Sequence, residues 1–82
     1  MHDTFLFENI KKAVFTLCEN NAIKRLTYIN VSVYVESHVN EVALYNKLKD
    51  SNSNLIGDWT KVAVEHNNPK RLTATINQIE GD

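Results

Sequence analysis

The chain has 82 residues, of which 43% are hydrophobic, and its formal net charge at pH 7 is -1. That length and apolar content suit a single domain, spanning residues 1–82, with one core. Acidic and basic residues are interspersed, without the basic stripe that phosphate contacts need, so the composition argues against general nucleic-acid binding. No apolar stretch approaches a membrane span and the N-terminus lacks a cationic signal-peptide start, so we expect a cytoplasmic protein.

The N-terminal part of the chain predicts an amphipathic helix from Thr4 to about Asn21. Its apolar residues recur at helical spacing, and they are Leu6, Ile10, Val14, Leu17 and Cys18. Asp3 or Thr4 can cap the first turn. Cys18, the only cysteine, lies on the apolar face and is expected to be a small buried group rather than a nucleophile.

The segment from Leu26 to Val35 alternates between apolar and polar residues and predicts a long half-buried strand with Val35 on its apolar face. Ser37 and Asn40 then offer N-cap side chains for a short helix from about Glu41 to Lys49. A strand and a helix are therefore expected to follow the first helix.

Two further strands are predicted near the C-terminus. Thr60 to His66 alternates through apolar residues, residues 67–70 indicate a turn, and Leu72 to Ile76 continues with strand period. So short a connection favours an antiparallel hairpin. The fold class is therefore predicted as α+β in the order α-β-α-β-β, with two helices on one face of a small, mainly antiparallel three-stranded sheet.

Motifs for catalysis are missing from the sequence. It contains no glycine-rich phosphate loop, nucleophile elbow, zinc-protease helix or paired-cysteine site. The acidic residues are scattered and expected to be solvated, and they include Glu8, Glu19, Glu36, Glu41 and Glu65. We therefore expect a binding protein rather than an enzyme.

The histidines are the residues of this sequence that could bind a metal ion. His2 lies beside the chain start, where its imidazole, the terminal amine and nearby main-chain nitrogen atoms form a compact set that suits a square-planar ion such as Ni(II) or Cu(II). His38, between the predicted strand and helix, is a candidate extra ligand if both segments share one end of the sheet. His66 is expected at the surface of a strand end.

Several segments resemble the HypA/HybF family of nickel metallochaperones. The resemblance spans most of the chain, and its main matches are Met1-His2-Asp3, the helix end Leu17-Cys18-Glu19-Asn20-Asn21-Ala22, the strand Ile29-Asn30-Val31-Ser32-Val33, the connection Ser37-His38-Val39-Asn40 before Leu44, the strand Lys61-Val62-Ala63-Val64-Glu65 and the C-terminal strand from Arg71 to Glu80. In the family, a four-cysteine zinc module separates the last two strands. Here Asn67-Asn68-Pro69-Lys70 stands in its place, so no zinc site is expected.

The resemblance implies a nickel site at the N-terminus. His2 would be the main Ni(II) ligand, main-chain nitrogen near Met1 to Asp3 would complete the site, and Asp3 would be a supporting carboxylate. Asp3 replaces the family's usual Glu, and Tyr34 occupies a position that is commonly glycine. The implied task is nickel delivery during maturation of [NiFe]-hydrogenase or urease, with the GTPase HypB and the hydrogenase large subunit as partners.

A second hypothesis keeps the fold without the metal. The chain would then be a protein-interaction module that captures its partner through a sheet edge or a helix surface. It predicts weak metal binding that does not depend on His2.

Overall fold

The computed structural model describes residues 2–71 and 73–82, with side chains from Thr4 onward. The predicted element order is confirmed, and so is the α+β class. The helices and strands are α1 (His2–Asn20), β1 (Leu26–Tyr34), α2 (Glu41–Ser51), β2 (Lys61–Asn68) and β3 (Ala74–Gly81).

The sheet is mixed rather than mainly antiparallel. Its strand order is β2-β1-β3, and β1 pairs in parallel with β2 and antiparallel with β3. The predicted hairpin between the last two strands is therefore wrong, because β2 and β3 lie on opposite sides of β1. The chain passes from one side to the other between Asn68 and Ala74.

Burial explains why β1 takes the centre. Its apolar side chains are completely buried, and they are Leu26, Ile29, Val31 and Val33. The two outer strands contain only half-buried and exposed residues. A central strand has both backbone edges paired, so the most apolar strand gains most from that position. A hairpin of β2 and β3 would have left β1 at an edge or separated it from one of them.

The two helices run in the same direction and start level with each other. Helix α2 joins two parallel strands, so it runs opposite to β1, and α1 returns into β1 through a short connection. The Lys47 Nζ atom lies 3.8 Å from Glu8 Oε2, and each residue is the seventh of its helix. We call this end of the molecule the helix-start end: the first turns of α1 and α2, residues 35–40, and the connection between β2 and β3.

One core fills the space between the helices and the sheet. It consists of Leu6, Ile10, Val14, Cys18, Leu26, Ile29, Val31, Val33, Val39, Leu44, Leu48, Leu55 and Ile56. The buried position predicted for Cys18 is confirmed. Val35 was expected on the apolar face of the strand but is 51% exposed, because β1 ends at Tyr34 and the chain turns there, with the Ser37 N–H donating to the Tyr34 carbonyl.

The face of the sheet away from the helices carries a hydrogen-bonded polar row. The strand register gives Asn77 no partner, since Asn30 pairs with Gln78 and Val31 with Ile76. The bulged Asn77 donates its Nδ2 to Asn30 Oδ1 at 2.9 Å and to Ser32 Oγ at 2.7 Å. The bulge is thus held by side-chain hydrogen bonds that fix the pairing of β3 with β1.

We expect Ile29→Ala to lower the free energy of unfolding by about 2–5 kcal/mol, because it leaves a cavity under both helices. The matched control Val42→Ala, at a side chain that is 70% exposed, should change it by no more than about 0.5 kcal/mol. Urea unfolding monitored by circular dichroism measures both. Equal effects at the two positions would contradict the central burial of β1.

Candidate metal-binding site

The helix-start end gathers the segments that the sequence singled out for metal binding. Leu6 and Asn9, near the start of α1, line a crevice with Thr73 and Ala74. Ala74 in turn pairs with Val33, close to the end of β1. The start of α1 and the connection that carries His38 therefore share one end of the sheet, as the extra-ligand hypothesis required.

The predicted ligands themselves stay predictions. Met1 lies outside the described residues, and so do the side chains of His2 and Asp3. The backbone of both residues belongs to the first turn of α1. The first four N–H groups of a helix have no carbonyl partner within it, so main-chain nitrogen in this turn is not committed to a helical hydrogen bond.

Local hydrogen bonds hold the connection around His38. The Val39 N–H donates to Ser37 Oγ at 3.0 Å, and the Ala43 N–H donates to Asn40 Oδ1 at 2.8 Å. Asn40 is thus the N-cap of α2, one of the two residues predicted for that role. The Val39 side chain is completely buried and anchors this connection in the core. The neighbouring His38 is exposed, so its imidazole lies at the surface.

His66 belongs to the neighbouring strand. It pairs with Val33 near the end of β2 and is exposed, as predicted for a strand-end surface residue. Within residues 4–71 and 73–82, no three side chains of His, Cys, Asp and Glu are grouped so as to hold a metal ion.

Two carboxylates near this end make structural contacts that the sequence did not reveal. Glu8 lies 3.0 Å from Lys11 Nζ and 3.8 Å from Lys47 Nζ, and the hydrogen bond from Lys11 lowers the pKa of Glu8. Glu41 Oε2 accepts from the Val64 N–H at 3.2 Å. Glu41 follows the helix cap in sequence, but its contact depends on β2 lying beside α2, which spacing alone does not indicate.

Cys18 lies at the opposite end of α1. Its side chain is 3% exposed, and burial raises the pKa of its thiol. A protonated, buried thiol is neither a good nucleophile nor a ready metal ligand. The structure therefore agrees with the packing role predicted for this residue.

No family model, curated protein or solved structure matches the chain. Neither helix in the described part of the chain has the length and apolarity needed to cross a membrane.

We expect the Cys18 thiol to react with an aromatic disulfide reagent at least about 100-fold more slowly in the native protein than in urea, because reaction requires the core to open. Absorbance of the released thiolate measures the rate. The variant Thr16→Cys, at an exposed position of the same helix, provides a reactive thiol as a control. Comparable native rates at both positions would contradict the burial of Cys18.

Proposed function

We propose that this chain is a nickel-binding, metallochaperone-like domain. His2 is the main ligand for Ni(II), main-chain nitrogen in the segment from Met1 to Asp3 completes the coordination, and Asp3 supplies a supporting carboxylate. The role is binding and delivery of the ion in the cytoplasm, not catalysis. One observation carries the proposal: α1 begins at His2, at the end of the sheet that also carries His38.

The position of His2 favours an accessible ion. His2 belongs to the first turn of α1, so a ligand set built from main-chain nitrogen of this turn needs no cavity in the core. Delivery requires such access, because an acceptor must approach an ion before it takes over the ligands. The nitrogen-rich set suits the square-planar preference of Ni(II) better than the tetrahedral preference of zinc.

The fold also supports the resemblance to HypA/HybF proteins. The chain has the element order that the resemblance implies, and β2 continues to Asn68 before the short connection to β3. That connection, where the family carries its zinc module, lies at the helix-start end, where Thr73 lines a crevice together with Leu6 and Asn9 of α1. We therefore place contacts with the maturation GTPase HypB and the hydrogenase large subunit at this end. The alternative within the same role is nickel delivery for the maturation of urease rather than of [NiFe]-hydrogenase.

We expect tag-free protein with its native N-terminus to bind Ni(II) with a Kd near 1 μM, worth about 8 kcal/mol. His2→Ala should abolish this binding, because it removes the imidazole. Isothermal titration calorimetry measures both proteins. His66→Ala is the matched control, since it removes an exposed histidine on β2 and should leave the affinity unchanged.

His38→Ala tests the extra ligand in the same titration. A moderate loss of affinity assigns His38 to the site, and no change limits the site to the N-terminal segment. Weak binding that is equal in the unaltered protein and in His2→Ala would overturn the nickel proposal and favour the metal-independent interaction module.

Nickel affinity should fall steeply as the pH drops from 8 through about 6, because protonation of an imidazole removes the lone pair that binds metal. Competition with a chromogenic chelator at each pH measures the affinity. Circular dichroism at the same pH values separates loss of ligand from loss of fold. An affinity that is the same at pH 8 and pH 5 would exclude His2 as the ligand.

A further inference from the structure

A cleft lies between the second half of α1 and the connections that follow the two helices. Its volume is about 560 Å³, within the range of about 300–1,000 Å³ that small-molecule sites occupy. Three lysines line it, Lys11, Lys12 and Lys24, and we call it the lysine cleft. It lies at the end of the molecule away from the helix-start end, so it is separate from the proposed nickel site.

Apolar side chains form the floor of the lysine cleft. They are Phe15, Cys18, Ile23 and Leu55, and each belongs to the hydrophobic core or packs against it. Cys18 and Leu55 are buried, whereas Phe15 and Ile23 are half-buried. The half-buried pair therefore offers apolar surface to a molecule that enters the cleft.

Hydrogen bonds fix the wall of the cleft that follows α2. Asn52 Oδ1 accepts from the N–H groups of Asn54 at 3.2 Å and Leu55 at 3.1 Å. The Leu55 carbonyl accepts from the Leu26 N–H at 2.9 Å and from Trp59 Nε1 at 3.1 Å. Because Oδ1 of Asn52 is occupied, the remaining polar group of this side chain, Nδ2, can only donate. The wall is thus preformed, which lowers the entropy cost of binding.

The charge of the lysine cleft is positive. Its three lysines face one acidic residue, Glu19, in a chain whose net charge is -1. Glu8 lies 3.0 Å from Lys11 Nζ, so part of the Lys11 charge is balanced. Among the described residues, neither Lys12 nor Lys24 forms an ion pair, and both are exposed. These two ammonium groups are therefore available to an anion.

The helix ends near the cleft oppose an anion less than bare helix ends would. A helix C-terminus carries a partial negative charge on its unpaired carbonyl groups. At the end of α1, the Leu17 carbonyl accepts from the Asn21 N–H at 3.1 Å and from Asn21 Nδ2 at 2.8 Å. The Cys18 carbonyl accepts from the Ile23 N–H at 2.8 Å. Helix α2 has a basic residue, Lys49, in its last turn.

We propose that the lysine cleft binds a small organic anion with an apolar body, of the chemical class of medium-chain fatty acids. The carboxylate binds the ammonium groups of Lys12 and Lys24, with Asn52 Nδ2 as a further donor. The hydrocarbon chain packs on Phe15 and Ile23. The proposal does not rest on nickel binding, and its failure would leave the proposed nickel site untouched.

An amphipathic anion satisfies both parts of the lining. A phosphate or sulfate ion would leave the apolar floor in contact with water, at a cost that grows with the exposed apolar area. A neutral hydrocarbon would gain nothing from the lysines, and an amine would be repelled by them. Charge and apolar surface together therefore select the ligand class.

Titration of isotope-labelled, nickel-free protein, followed by the NMR shifts of its amides, tests the site. Decanoate should shift the amides of Phe15, Ile23 and Leu55 in a saturable way, with a Kd below about 1 mM. Acetate lacks the apolar body and decyltrimethylammonium has the opposite charge. Each should bind at least about tenfold more weakly than decanoate. All three are used below the concentrations at which they form micelles.

Charge variants at exposed positions give the sign of the effect. Lys12→Ala and Lys24→Ala should each weaken decanoate binding about threefold, and Glu19→Gln should strengthen it about twofold. Lys70→Ala is the matched control, because Lys70 is exposed and lies outside the cleft, and it should leave the Kd unchanged. Circular dichroism will show that all four variants keep the fold.

The same titrations can overturn the proposal. The absence of a saturable shift with decanoate would do so, and so would equal binding of decyltrimethylammonium. Lys12 also borders the groove between α1 and β3, whereas Lys24 does not, so equal effects of Lys24→Ala and Lys70→Ala would contradict the assigned cleft. Saturable shifts centred on Ala13 and Ile76 would place the ligand in that groove instead.

Discussion

The burial of β1 between two paired strands is the constraint on which the rest of this structure depends. Its four apolar side chains are completely buried, and both of its backbone edges are hydrogen-bonded to neighbours. Because β1 needs a partner on each side, β2 and β3 are separated and the chain crosses the end of the sheet between them. That crossing, the helix starts and the connection after β1 consequently share one end.

Local features of this fold were predictable from the sequence, while the pairing of its strands was not. Helical spacing identified α1, alternation identified β1, and the cap at Asn40 identified the start of α2. These signals depend on residues close together in the chain. The choice between a hairpin and a mixed sheet depends on which strand most needs two neighbours, a comparison between distant segments. A short connection alone favoured the wrong answer.

For the candidate site, too, the sequence indicated residue types but not the contacts made through tertiary packing. The sequence picked out His2 and His38 because of their chemistry, and the structure adds that their segments share one end of the sheet. The sequence did not indicate that the Val64 N–H would donate to the Glu41 carboxylate. That contact joins residues 23 positions apart and forms only because β2 packs beside α2. The contacts of an isolated charged residue depend on tertiary packing, which places residues from distant parts of the chain beside it.

The parallel helices have an electrostatic consequence at the end where they begin. Each helix N-terminus carries a partial positive charge of about half an elementary unit, and here two such ends point the same way. A bare cation is disfavoured at this end, whereas a negatively charged group is stabilised. In the proposed site, Ni(II) held by deprotonated main-chain nitrogen and a nearby carboxylate would present such negative charge. The fold would thus discriminate between metals by the charge of the whole complex rather than by the size of a cavity.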